Sequence, residues 1–178
     1  MSSQGKRASG LSSAQRLAVA ALMAALALIF SYVEAIIPIP IGVPGVKLGL
    51  ANLVVIIAIY DFGMKYAVGI NVVRIIVNAL LFTGPYGALY SLAGGLISML
   101  VMWALQKTKA FSIIGVSMAG SVSHNFGQLL VAAVMISNLR IFMYAPVLVF
   151  SGIVSGIIIG ILAYHIRRSL EFRPYRPQ

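Results

Sequence analysis

The side chains able to do chemistry in this chain sit inside apolar sequence, at helical spacing. Asn71, Arg74 and Asn78 recur at i, i+3 and i+7, which puts them on one helical stripe. Ser117, Ser121, His124 and Gln128 form a second stripe at i, i+4, i+7 and i+11, with Asn125 beside it. Glu34 lies near the end of the first apolar segment, Lys47 and Asn52 at the start of the next, and Tyr90 and Arg140 toward the same side. Ionisable and amide groups at membrane depth are costly, so by default they face a bundle interior or a cavity. One reading has them satisfy one another, Arg74 against Glu34 and the amides as bridges between helices. The other has them converge on a pocket. Three cations here (Lys47, Arg74, Arg140) face one acid, Glu34. An arginine in excess over carboxylates suits an anionic ligand, which the guanidinium holds through paired hydrogen bonds. His124 reads either as a hydrogen-bonded structural group or as a pH-sensitive one.

Several chemistries lack their residues. The 178 residues hold three acids, and Asp61 is the one aspartate. That leaves too few oxygen ligands for magnesium-dependent diphosphate chemistry, and the carboxylate of a Ser/His/Asp triad is equally scarce. No Gly-x-x-x-x-Gly-Lys-Ser/Thr string is present for a P-loop. The absence of cysteine removes disulfides, thiolate catalysis and cysteine metal sites. A metal site would rest on His124 and His165, which fall at opposite ends of the expected bundle order. The sequence therefore points to binding or transport, with no catalytic residue, cofactor or metal.

The elements that position these groups follow from composition. Hydrophobic residues make up 61% and charged residues 9%, against about a quarter charged in a soluble domain, and the mean hydropathy is +1.02. Too little charge remains to coat a water-facing surface, so lipid is the solvent. The net charge of +10 lies in short clusters between apolar runs, with no basic face interleaved with aromatics, which excludes nucleic acid. We expect an all-α membrane bundle of six transmembrane helices over about 15–37, 48–61, 64–82, 86–106, 112–137 and 143–167, each near the roughly 20 residues that span a bilayer. Tails at 1–13 and 169–178 flank the single domain, 14–168. The second segment is short, consistent with a tilted, re-entrant or partly inserted helix. Six spans put ten of the 13 Lys and Arg on one side, Lys47 and Arg140 on the other, and Arg74 inside a span. The positive-inside rule then places both termini in the cytoplasm.

Two kinds of small-residue face remain. Ala14, Ala18, Ala21 and Ala25 share one face of the first helix, and Gly152, Gly156 and Gly160 repeat at four-residue spacing in the sixth. Small residues let helix backbones approach closely in lipid. The glycines, like Gly87, Ser91, Gly94, Gly95 and Ser98 of the fourth helix, fit packing within the chain. Homodimerisation through the sixth helix is the weaker reading. The alanines fit either internal packing or docking of another membrane subunit.

Three strings carry a resemblance: Pro44-Gly45-Val46-Lys47-Leu48-Gly49-Leu50-Ala51-Asn52, Tyr90-Ser91-Leu92-Ala93-Gly94-Gly95 and Ser123-His124-Asn125-Phe126-Gly127-Gln128-Leu129. They resemble the bacterial Gx transporter family, also labelled heptaprenyl diphosphate synthase component I, over about Gln15 to Arg168. That family is similar to the S components of energy-coupling factor importers. The resemblance implies a six-helix, multi-pass protein of the bacterial plasma membrane that captures a vitamin, cofactor or precursor near the outer face. It also implies partners on separate chains, a transmembrane coupling subunit and two ATPases. Carried over, the docking strip maps to Ala14, Ala18, Ala21 and Ala25, and the pocket to Lys47 with the helices around Tyr90, Asn125 and Gln128. Arg74 and His124 come from intramembrane polarity instead. Two alternatives stand beside this reading: a non-catalytic membrane partner in isoprenoid or quinone metabolism, and a stand-alone secondary transporter. The synthase label does not imply a catalytic subunit, because the aspartates that prenyl chain elongation needs are missing.

Overall fold

A computed structural model describes residues 11–36 and 49–171. Within them the chain forms six α-helices: α1 (Ser13–Ile36), α2 (Leu50–Asp61), α3 (Met64–Asn78), α4 (Gly84–Thr108), α5 (Ile113–Ile136) and α6 (Ala145–Glu171). A π segment, Ala79–Thr83, extends α3, and a 3-10 turn, Leu139–Tyr144, precedes α6. The punctuation is local chemistry. Ser12 and Gln15 cap α1 reciprocally, each side chain accepting from the other's backbone N–H, at 3.2 and 2.9 Å. Ser112 Oγ accepts from Gly115 N–H at 3.2 Å to start α5. Gly84, at φ 67°, and Pro85 in the first turn of α4 separate α3 from α4.

The core is built around α2. It packs against α1, α3, α4 and α6, and Val54, Val55, Ile56, Ala58 and Ile59 are almost wholly buried. A helix that is apolar all round needs protein or lipid on every side, and α2 finds protein. Ala20, Ala24 and Ala27 of α1 close the core on one side, Met99 and Met102 of α4 and Ile159 and Ala163 of α6 on the others. Outward-facing side chains such as Leu17, Leu22, Leu80, Val134 and Phe150 are exposed and apolar, the arrangement of a protein that sits in lipid.

Four stretches are long and apolar enough to cross a membrane: Ser13–Glu34, Met64–Thr108, Ile113–Ile136 and Leu139–Ser169. The six expected crossings differ from this count for a physical reason. At 1.5 Å per residue, the 12 residues of α2 rise only about 18 Å, short of a hydrocarbon core of about 30 Å. The stretch Met64–Thr108 contains both α3 and α4, which lie against each other across the break at Gly84.

The glycines of α6 are taken up inside the chain. A Cβ at Gly152, Gly156 or Gly160 would stand 3.0, 2.5 or 2.7 Å from Cα of Val122, Met118 or Ile114, all on α5. Backbone contact that close leaves these glycines no room for a second copy. The alanines of α1 behave differently: Ala14, Ala18, Ala21 and Ala25 are exposed, while Ala20, Ala24 and Ala27 face the core.

Candidate functional site

A polar cavity of about 50 Å³ lies at the N-terminal end of α2. It is lined by Ser31 and Glu34 of α1, Gly49, Ala51 and Asn52 at the head of α2, and Arg74 and Asn78 of α3. Thr83, Ser91 of α4, Ser121, His124, Asn125 and Gln128 of α5, and Ser155 of α6 complete it. Because α2 is short, five helices and the π segment surround a space that a full-length helix would fill. The partial positive charge of a helix N-terminus faces that space.

The polar stripe of α3 points inward as its spacing requires. Asn71, Arg74 and Asn78 are 1, 8 and 8% exposed. The two terminal nitrogens of the Arg74 guanidinium donate to Ser31 Oγ at 3.2 Å and Asn71 Oδ1 at 2.8 Å. Both acceptors are neutral. Glu34 is engaged elsewhere: its carboxylate accepts from the backbone N–H of Gly49 and, at 3.0 Å, of Leu50. It caps α2, where a negative group is favoured. The pairing of Arg74 with Glu34 is therefore not formed. Among the described residues no carboxylate makes an ion pair with Arg74. Three buried polar atoms on this stripe have no hydrogen-bond partner: Asn71 Nδ2, Arg74 Nε and Asn78 Oδ1. Buried polar groups are satisfied as a rule, and two of these three residues, Arg74 and Asn78, line the cavity, where water or a ligand can reach them.

The other polar residues divide. Asn125 donates to Leu148 O at 2.8 Å and to Ser151 Oγ at 3.4 Å, joining α5 to α6 at the cavity wall. Tyr90 is half-buried and does not line the cavity. Arg140 is exposed on the 3-10 turn, where its backbone N–H donates to Asn138 Oδ1 at 2.9 Å. Asn71 reaches the site through Arg74. Lys47 lies outside the described residues, and among them no group of three His, Cys, Asp or Glu could hold a metal. Glu34, Asn52, Arg74, Asn78, His124, Asn125 and Gln128 are the sequence candidates that meet in one cavity. Ser31, Thr83 and Ser155 were not singled out as site residues. Ser31 lies three residues before Glu34 on the same helix face, a signal that could have found it.

A second hollow, of about 450 Å³, runs between α1 and α3. Its lining is almost wholly apolar, with Leu17, Ala24 and Leu28 on one wall and Gly69, Val73 and Val77 on the other. Arg74 lines both this groove and the polar cavity.

The opposite end of α2 is closed by charge. Arg167 of α6 donates from Nε and one terminal nitrogen to Asp61 Oδ1, at 3.0 and 2.9 Å, and stacks over the Tyr60 ring at 4.8 Å. Gln106 donates to Ile59 O at 3.4 Å beside it.

The family described as heptaprenyl diphosphate synthase component I matches residues 23–166. The match spans α1 to α6, and the chain belongs to that family. No curated protein and no solved structure matches the chain.

Proposed function

We propose that this member of the heptaprenyl diphosphate synthase component I family captures a small anionic molecule in the membrane and performs no reaction on it. It acts as the substrate-binding subunit of an energy-coupling factor type importer. The ligand class is a carboxylate- or phosphate-bearing vitamin, cofactor or precursor. The observation that carries this reading is Arg74: 8% exposed, hydrogen-bonded only to neutral groups, and set beside the N-terminus of α2. Burial of that charge is costly where no ion pair is formed, and an anion in the cavity adds attraction beyond what the Glu34 carboxylate in the same lining supplies. The amides of Asn52, Asn78 and Gln128 supply further hydrogen bonds there.

In this reading the bacterial plasma membrane is crossed six times with both termini in the cytoplasm, and the cavity faces outward. The exposed strip of Ala14, Ala18, Ala21 and Ala25 supports docking of a coupling subunit that carries the work of two ATPases. The test is native mass spectrometry of the chain purified gently from its own membrane. A retained anion is expected, lost in Arg74→Ala without a change in elution. Retention by the Arg74→Ala protein sinks the reading.

The family description favours one other reading, a non-catalytic membrane partner in isoprenoid metabolism. Copurification with a soluble prenyl synthase, and no bound small molecule, is the outcome that selects it.

A further inference from the structure

The polar cavity makes two opposite demands on what enters it. Arg74 and Glu34 are the acid and the strong base of its lining, and they make no ion pair with each other. A lone anion would give the filled cavity a net negative charge beside a carboxylate, and an unbalanced charge out of water is costly. A ligand with one charge of each sign leaves the cavity neutral. The unbonded polar atoms make the same pair of demands. Arg74 Nε–H is a buried donor without an acceptor, and Asn78 Oδ1 is a buried acceptor without a donor. The Thr83 hydroxyl donates to Asn78 O at 3.5 Å, so the Asn78 amide turns its nitrogen to that hydroxyl, at 3.4 Å, and keeps its oxygen for another donor. Glu34 also has capacity left. Both amides of the α2 cap bond to Oε1, and Oε2 has no hydrogen bond among the described residues.

The scale of the cavity is small. Its volume of about 50 Å³ holds roughly three to five water-sized groups, at about 10–15 Å³ each of the same measure. A carboxylate, smaller than a phosphate, leaves space there for a second group. Arg74 donates to Ser31, which stands on α1 about 4.5 Å of helical rise before Glu34. Along α3, Arg74 and Asn78 are separated by about 6 Å of rise. The place for a negative group and the place for a positive one therefore lie about one helical turn apart, about 5 Å. That span suits a molecule with one or two carbons between its charged groups.

Building on the anion-capture reading, we propose that the captured molecule is a small amino acid-like zwitterion, its carboxylate held by Arg74 and its primary ammonium by Glu34 and Asn78. The anionic group of that reading then brings its own counter-charge into the membrane. An ammonium carries three N–H donors, enough to reach an acceptor on α1 and another on α3. Glu34 serves both the α2 cap and the ligand, one oxygen for each. Arg74 and Glu34 stay apart because each has a partner of its own in the filled cavity.

Three probes of nearly one size test this: β-alanine, propionate, which lacks the ammonium, and ethylammonium, which lacks the carboxylate. The experiment is equilibrium binding of each to the full chain in phosphatidylcholine nanodiscs at pH 7. We expect β-alanine to bind at least about tenfold more tightly than either single-charge probe, the weight of a hydrogen bond to a charged group. Arg74→Gln weakens β-alanine and propionate alike. Glu34→Gln keeps an oxygen for the α2 amides and removes the charge, so it moves the two probes in opposite directions. β-Alanine loses at least about tenfold, and propionate gains because the repelling carboxylate is gone. A variant that merely loosened the fold would weaken both. Propionate bound through Arg74 as tightly as β-alanine overturns the zwitterion and leaves anion capture standing. Equal losses of the two probes in Glu34→Gln make Glu34 a helix cap alone, and overturn it too. Ethylammonium bound as tightly as β-alanine, and indifferent to Arg74→Gln, describes a cation site and ends both readings. Absence of any Arg74-dependent binding ends both as well.

Discussion

The two ends of α2 hold the same kind of side chain in opposite circumstances. At the C-terminal end a buried carboxylate, Asp61, meets an arginine at 2.9 Å, backed by an aromatic ring. At the N-terminal end a buried arginine meets two neutral oxygens, and the nearby carboxylate of Glu34 is occupied with backbone amides. The first is a closed structural contact, complete within the chain. In the second, arginine and carboxylate line the same cavity but make no direct ion pair. Burial of a charge alone therefore does not identify a binding site in this molecule; the state of its partners does. The small-residue faces repeat the lesson, since the glycines of α6 touch α5 while Ala14, Ala18, Ala21 and Ala25 of α1 stay exposed.

Substitutions can break or sharpen that contrast. The largest expected effect is Asp61→Ala, which removes a buried carboxylate's ion pair with Arg167 and lowers stability by about 3 kcal/mol, read as unfolding in detergent. A smaller loss would mean that the closed end is no more structural than the open one. Gly156→Ala comes next, at about 1–3 kcal/mol, because its methyl would stand 2.5 Å from the Met118 backbone. Arg74→Met should leave stability unchanged or raise it, since it removes a buried charge hydrogen-bonded only to neutral groups. The same variant should lose at least about tenfold in anion affinity, the weight of one hydrogen bond to a charged group. Stability lost in proportion to binding would make Arg74 another Asp61. Ala18→Leu sits on the exposed face of α1 without lining the groove and should move stability by no more than about 0.5 kcal/mol. Its expected effect is loss of the copurifying coupling subunit, and an unchanged complex would place docking elsewhere.

Much of the site was legible because helical spacing is rigid. Asn71, Arg74 and Asn78 could share only one face, and burying that face was the one inexpensive choice in an apolar helix. The same reasoning brought His124, Asn125 and Gln128 to the cavity. What escaped was decided by contacts between distant segments. Glu34 could satisfy either a guanidinium or the amides ahead of α2, and nothing in its neighbours along the chain says which. Ser31 and Ser155 are single hydroxyls in apolar runs that bond to their own helices at Ala27 O and Gly152 O, as Ser151 does at Leu148 O. Arg140 and Tyr90 were placed by depth, and depth says nothing about direction around a helix. The number of apolar segments was readable from Gly and Pro punctuation. How many cross a bilayer was not, because hydropathy counts residues and crossing depends on rise.

The brevity of α2 also bears on how the protein is made. A 12-residue helix is marginal by itself, and this one draws its N-terminal cap from α1 and its C-terminal counter-charge from Arg167, 106 residues further along. It cannot be a stage of membrane integration on its own account. Its packing against α1, α3 and α4 precedes α6 in chain order, so a chain truncated before α6 would keep the Glu34 cap and lack the counter-charge of Asp61.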